Sequence, residues 1–204
     1  MRPQTRAGTL TGVILAGGRA RRMGGRDKGL LSLAGRPMIE YVIEALRPQV
    51  DTLLINANRN REAYAGYGFS VVPDDTSDYP GPLAGMAAAM AAAAAGSILT
   101  VPCDGPWLPP DLARRLEAGR VAQDVPICMA HDGHRAQPVF ALLDRDLLPS
   151  LREYLARGGR KIDLWYAQHG AATADFSDCP EVFINVNTPE DSAEVAARLA
   201  GARG

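Results

Sequence analysis

Thr11-Gly-Val-Ile-Leu-Ala16 runs straight into Gly17-Gly18. An uncharged apolar run stopped by paired glycines reads as a buried strand that opens onto a loop. From Gly17 to Gly35 the chain is rich in glycine and arginine, and apolar periodicity resumes at Pro37, which suits the first turn of a helix reaching about Leu46. A connection of that length is usually functional. Thr52 to Asn58 and Ser70 to Pro73 read as further buried strands, with a short helix around Glu62 between them. The alanine-rich segment after Pro82 is expected to be a helix packed closely on the sheet and ended by Gly96, and Ser97 to Pro102 a strand ending at Cys103-Asp104. Strand, helix, strand in repetition predicts an α/β, Rossmann-like fold: a mostly parallel central sheet flanked by helices on both faces.

The second half changes character. Val125 to Ala130 and Ala136 to Leu142 are extended runs around His131-Asp132-Gly133-His134, and Asp-Gly predicts a two-residue turn, hence a small antiparallel hairpin excursion. Helical periodicity returns from Asp146 to Leu155 and from Lys161, followed by an expected strand at Val182 to Val186 and a last helix after Pro189. No linker, repeat or low-complexity tail divides residues 1–204, so one domain is expected.

Composition narrows the function classes. At 204 residues the chain can bury roughly 70% of its unfolded surface without disulfides. A net charge of -1 with 22% charged residues gives no globally basic surface, which argues against a nucleic-acid partner. Cys103, Cys128 and Cys179 are scattered and odd in number, a pattern that suits a reducing, cytoplasmic compartment rather than a disulfide scaffold or zinc ribbon. No stretch near Met1 resembles a signal sequence, and the Leu83–Ala95 run is too short to span a bilayer, so no membrane partner is expected.

In an open parallel sheet, ligands bind beyond the carboxyl ends of the strands. The polar residues there are Gly17, Asn56, Asp74 and Asp104. The loop after the first strand, Leu15-Ala-Gly-Gly-Arg-Ala-Arg-Arg-Met-Gly-Gly-Arg-Asp-Lys28, combines approachable backbone N–H groups with cations and so suits a polyphosphate. It matches neither the dinucleotide-binding Gly-x-Gly-x-x-Gly nor a Walker A loop, because Lys28 follows Asp27 and precedes Gly29. Asp104, before Gly105-Pro106, presents a carboxylate that can bridge Mg²⁺ to phosphate oxygens or simply cap a turn. His131 and His134 are read as cross-strand hairpin residues without a third metal ligand, His169 as structural, and the cysteines as small buried thiols.

The motifs taken together resemble one family. Leu15-Ala-Gly-Gly, Arg22-Met-Gly-Gly, Asp27-Lys-Gly29, Asn56-Ala-Asn58, Asp78-Tyr-Pro-Gly-Pro-Leu-Ala-Gly85, Pro102-Cys-Asp104 and Asn185-Val-Asn-Thr-Pro189 occur in the order found in the molybdenum cofactor guanylyltransferases of the nucleotidyltransferase superfamily. The resemblance implies a nucleotidyltransferase fold and transfer of GMP from GTP to molybdenum-molybdopterin, yielding the guanine dinucleotide cofactor and pyrophosphate. It implies nucleotide contacts by Leu15, Ala16, Gly17, Gly18, Lys28, Asn56, Asp74 and Asp104, with Mg²⁺ on Asp104 and catalytic roles for Lys28, Arg22 and Asp104. Asn185 and Asn187 become candidates for the second substrate. Molybdopterin-synthesis proteins and molybdoenzyme chaperones are the implied protein partners. The Gly105-Pro-Trp107 that follows Asp104 departs from the family pattern at one wall of the site.

An ionised phosphate nucleophile needs no strong general base; the barrier is electrostatic repulsion among three anionic groups. A carboxylate accepts from both donors on guanine's N1 and N2, which makes Asp74 the expected base reader. The alternatives are a cytidylyl or sugar-phosphate nucleotidyltransferase, disfavoured by Gly17-Gly18, and a silent nucleotide-binding adaptor, disfavoured by retention of Lys28 with Asp104.

Overall fold

The computed structural model describes residues 9–16, 27–75, 81–94, 96–186, 191 and 195. In chain order the elements are β1 (Leu10–Leu15), β2 (Ser32–Leu33), β3 (Arg36–Pro37), α1 (Met38–Leu46), β4 (Thr52–Asn56), α2 (Arg61–Ala65), β5 (Ser70–Val72), α3 (Pro82–Ala92), β6 (Ser97–Pro102), α4 (Leu112–Gln123), β7 (Ile127–His131), β8 (Ala136–Asp144), α5 (Leu148–Ala156), α6 (Ile162–Ala167) and β9 (Ala172–Asp175). A 3₁₀ turn at Lys28–Leu30 and the two-residue pair β2–β3 divide the long loop after β1.

Seven strands form one sheet in the order β5-β4-β1-β6-β8-β7-β9. β1 pairs in parallel with β4 and β6, and β4 with β5. β8 alone is reversed, antiparallel to both β6 and β7, while β9 runs parallel to β7. Successive side chains of a strand point to opposite faces, and the core divides accordingly. Ile14, Leu99 and Val101 join α1, α2 and α4 through Ile39, Val42, Leu46, Tyr64, Leu112 and Leu116. Val13 and Ile98 join α3, α5 and α6 through Leu83, Met86, Met90, Leu151, Trp165 and Tyr166. Each such aliphatic or aromatic side chain contributes about 1.5–3 kcal/mol when fully buried. α3 is buried all along Leu83–Met90, so its alanines let the helix lie close between the sheet and α5.

No element is expected from the sequence between Asp104 and Val125, yet α4 forms there. Only Leu112 and Leu116 are buried along it, and mid-helix Gly119 is needed because a Cβ would lie 2.8 Å from the Cys128 sulfur. The strand expected at Val182–Val186 is instead a 3₁₀ turn over Pro180–Phe183 with an irregular continuation. Its apolar residues are spent on packing: Phe183 meets Phe140 and Phe176 edge-on, at 4.9 and 5.5 Å between centroids, and Val186 packs with Leu33, Met38, Tyr41 and Val195. The edge strand is β9, whose Ala172 and Ala174 face inward while Thr173 and Asp175 face solvent.

The hairpin is also longer than a two-residue turn. Strand pairing closes at His131 with Ala136, and Asp132 organises the connection by accepting from the backbone N–H groups of His134 and Arg135, both at 2.8 Å. His134 is therefore not the cross-strand partner of His131, whose Nδ1 accepts from the Gly133 N–H at 3.1 Å. The helix expected after Pro189 lies largely outside the described residues.

Candidate active site

The order in which strands are added reverses at β1: β4 and β5 lie on one side of it and β6 on the other, all running parallel. A crevice beyond the carboxyl ends of the strands follows from that topology. Register brings the strand ends level, with Leu15 opposite Asn56 on one side and Pro102 on the other. Two backbone bonds extend the alignment past the ladder, from Ala16 N–H to the Asn56 carbonyl at 2.8 Å and from Cys103 N–H to the Leu15 carbonyl at 3.1 Å.

Lys28 enters this row from the 3₁₀ turn, and its ammonium donates to Asp104 Oδ2 at 2.8 Å. The side chains are 23% and 14% exposed, so the pair is only partly screened by water. On the other flank Asp74 accepts with both oxygens, from Asn56 Nδ2 and Asn58 Nδ2, each at 2.8 Å, and its own N–H donates to Asn58 Oδ1. The Asn56 amide also donates to the Val72 carbonyl at 3.1 Å. Its Oδ1 faces α3 so closely that a Cβ on Gly85 would stand 2.3 Å from it and 2.9 Å from Leu15 Cδ2.

The Asn185 segment closes the other end of the row. Val186 N–H donates to the Asp104 carbonyl at 2.8 Å, and Asn185 Oδ1 lies 3.5 Å from where a Gly105 Cβ would be. Leu15, Ala16, Lys28, Asn56, Asp74, Asp104 and Asn185 thus line one edge of the sheet in two hydrogen-bonded groups bridged by the end of β1. Gly17, Gly18, Arg22 and Asn187 lie outside the described residues. Asn58 and Asp27 stand within motifs of the sequence that assign them no role; Asn58 joins Asn56 on Asp74, and Asp27 neighbours Lys28.

His169 and Cys103 have structural occupations. His169 Nε2 pairs with Ser150 Oγ at 2.8 Å and the ring packs on Trp165. Burial, with the neighbouring carboxylates of Asp104 and Asp27, raises the Cys103 thiol pKa above its ordinary range, so it stays protonated. Among the described residues no cluster of three or more His, Cys, Asp or Glu side chains stands ready to hold a metal by itself. Asp104 and the Asn185 amide are hard oxygen donors, a sparse set that fits Mg²⁺, which commonly takes one or two carboxylates and completes its shell with phosphates and water. No helix among the described residues is long and apolar enough to cross a membrane.

A mostly parallel sheet whose strand order reverses at β1 offers the crevice in which open α/β proteins bind their ligands, and Lys28 and Asp104 lie paired beside it. The model of the MobA-like NTP transferase domain matches residues 12–172, and the chain belongs to that family. A molybdenum cofactor guanylyltransferase of Shewanella pealeana is 51% identical over 194 residues, 95% of this chain and 97% of the relative. One of Shewanella halifaxensis is 51% identical over 92% of this chain and 94% of its own. The fold is shared with the molybdopterin-guanine dinucleotide biosynthesis protein A of Archaeoglobus fulgidus, at a TM-score of 0.76 and 20% identity over 94% of this chain and 99% of that one. A Methanothermobacter nucleotidyl transferase shares it too, at a TM-score of 0.74 and 23% identity over 95% and 99%.

Proposed function

We propose that this chain transfers GMP from GTP to the terminal phosphate of molybdenum-molybdopterin. A phosphate oxygen of the acceptor attacks the α-phosphorus of GTP, the bond from that phosphorus to the β-phosphate bridging oxygen breaks, and pyrophosphate leaves. The observation that carries the reading is the Lys28–Asp104 pair at 2.8 Å, set at the switch point of a chain about half identical to named guanylyltransferases.

Attacking, transferred and leaving groups are all anionic, so the protein's task is to hold them together and offset their charge. Lys28 supplies a cation at the strand ends, and Arg22, by the family resemblance, a second. Asp104, aided by the Asn185 amide, would hold Mg²⁺, which when bound supplies further charge neutralisation on the phosphates. Asp74 reads the guanine edge, its carboxylate held in place by Asn56 and Asn58. By the family resemblance, Asn185 and Asn187 are the candidates for contact with the acceptor.

The test is thermal stabilisation by GTP, CTP, ATP and UTP with and without Mg²⁺, followed by pyrophosphate release on addition of molybdenum-molybdopterin. A ligand that binds only the native state raises the midpoint, by about 2.7 kcal/mol of stability at a hundredfold excess over Kd. Stabilisation by GTP with Mg²⁺ alone, and pyrophosphate release from GTP alone, are expected. Stabilisation by CTP instead would make the chain a cytidylyltransferase, and stabilisation by GTP without pyrophosphate release would make it a silent nucleotide-binding adaptor. No response to any nucleotide would point to an adaptor or to a site assembled only with the second substrate.

A further inference from the structure

Asp27 precedes the Lys28–Leu30 turn and is 9% exposed, which is unusual for an aspartate whose hydrogen bonds to the described residues include no cation. Its carboxylate is gripped from α2 and the turn before it. The Tyr64 hydroxyl donates to Asp27 Oδ1, and Asn60 Nδ2 donates to Asp27 Oδ2 at 3.1 Å. Tyr64 is fully buried, and its own N–H returns to the Asn60 carbonyl at 3.1 Å. Asn60 adopts φ 49°, ψ 34°, a left-handed conformation that costs a non-glycine residue energy and that asparagine tolerates better than most.

The grip reaches the other side of the turn as well. A Cβ on Gly29 would lie 2.7 Å from the Tyr64 hydroxyl oxygen and 3.4 Å from Cys103 Cβ. Gly29 is therefore wedged between Tyr64 and the residue that precedes Asp104. The residues on either side of Lys28 are held by α2, and the same wedge abuts the strand end that carries Asp104. Burial, then the nearby Cys103 and the bond to Asp27, push the Tyr64 phenol pKa upward, so it remains a neutral donor.

We propose that Tyr64 and Asn60 are positioning residues: acting through Asp27, they set the turn that aims the Lys28 ammonium at Asp104. The catalytic consequence rests on the nucleotidyl-transfer reading; the positioning itself does not. Tyr64 and Asn60 touch no reacting atom in this account, and their contribution is realised only while Lys28 is present.

The chain has two lysines, Lys28 and Lys161, and Lys161 provides an internal reference. Whole protein is pulse-labelled with N-hydroxysuccinimidyl acetate, and acetylation at the two lysines is compared by peptide mass spectrometry in wild type, Tyr64→Phe and Asn60→Gly. Tyr64→Phe deletes one hydroxyl from a filled site, and Asn60→Gly deletes the amide while suiting the left-handed backbone. Loosening Lys28 from Asp104 should raise its labelling relative to Lys161 by about threefold, as expected when a partly buried ion pair loses its geometry. Pyrophosphate release should fall about tenfold in kcat with KM for GTP nearly unchanged, because sub-ångström placement of a charge acts on the transition state. In a Lys28→Ala background Tyr64→Phe should add nothing.

An unchanged Lys28 to Lys161 labelling ratio in both variants would overturn the proposal, as would kinetic effects that simply add in the double variant. Failure of Tyr64→Phe to fold leaves Asn60→Gly to decide. Absence of pyrophosphate release by the wild type would remove the nucleotidyl-transfer reading instead, and the labelling ratio would still decide the positioning.

Discussion

Asp132 and Asp104 occupy turns at the same edge of one sheet and are satisfied in opposite ways. Asp132, between β7 and β8, takes its partners from its own hairpin: the His134 and Arg135 N–H groups of the turn at 2.8 Å and the amide of Gln137, at the start of β8, at 2.6 Å. Asp104 meets an ammonium delivered from 76 residues away. The first arrangement stabilises a hairpin and has a fixed donor for each oxygen. In the second, the partner is a charged side chain on a separate loop, able to exchange a carboxylate for a phosphate without unmaking any strand. On the proposed reading, the carboxylate assigned to chemistry is distinguished from the structural one by where its partner comes from, not by how well it is paired.

Breaking the distant pair should give the largest effect. Lys28→Ala is expected to slow pyrophosphate release on the order of 10²-fold or more, the scale of losing one electrostatic contact to a developing charge, while the unfolding midpoint changes little. Near-normal turnover would remove Lys28 from the mechanism and erase the contrast with Asp132.

Crowding the β1–β4–α3 junction comes next. In Gly85→Ala the new methyl would collide with Asn56 Oδ1 and Leu15 Cδ2, at 2.3 and 2.9 Å, so about 1–3 kcal/mol of stability should be lost. GTP should weaken along with it, since the Asn56 amide must move. Calorimetry with and without GTP checks both, and a variant as stable as wild type would show that α3 can retreat.

Asp74 sharpens the comparison, because its oxygens already accept from two asparagines. Asp74→Asn should weaken GTP about tenfold, as for a lost hydrogen bond to a charged group, and CTP much less. Equal weakening of the two nucleotides, measured by titration calorimetry, would make Asp74 a scaffold for Asn56 and Asn58 rather than a reader of guanine.

The smallest effect is expected at Asp132. Burial pushes its pKa up, but the backbone N–H groups of Arg135 and His134 and the Gln137 amide outweigh it and bring the value to about 2, from an ordinary 3.8. A folded value below the unfolded one means the stabilisation is full above pH 4 and is lost as the pH falls toward 2. With allowance for solvent screening, Asp132→Ala should cost about 1 kcal/mol at pH 7, a drop of roughly 2–4 °C in a domain of this size. The difference from wild type should shrink in melts at pH 2–3, with turnover unaffected at neutral pH; a constant difference across pH would assign the loss to packing.

Legibility in the sequence followed the range of the interactions. β6 is readable at both ends, since Ser97–Pro102 is an apolar run bounded by Gly96 and by Cys103-Asp104, and α1 is readable from Pro37 and the apolar spacing of Met38, Ile39, Val42 and Leu46. α4 was hidden because one narrow pair of leucines faces the core and Gly119 interrupts its propensity for the sake of Cys128. Val182–Val186 misled because an apolar run buried by Phe140, Phe176 and α1 looks the same as one buried in a ladder. Lys28, Asn56, Asp74 and Asp104 could be named from their motifs. That Asp27 is gripped by Tyr64 and Asn60, and Asp74 by Asn56 and Asn58, could not be read from spacing.

The residues themselves determined the alternation of buried strands and helices, the glycine-rich cationic loop and the polar residues waiting at the strand ends. Those features are encoded over a few residues at a time, by periodicity and by the few side chains that tolerate a turn. Tertiary structure decided that β8 enters reversed between β6 and β7, that β9 rather than Val182–Val186 completes the edge, and that Lys28 meets Asp104. Such contacts join residues far apart in the chain, and their energies are settled only when every strand and helix has found the face that buries it.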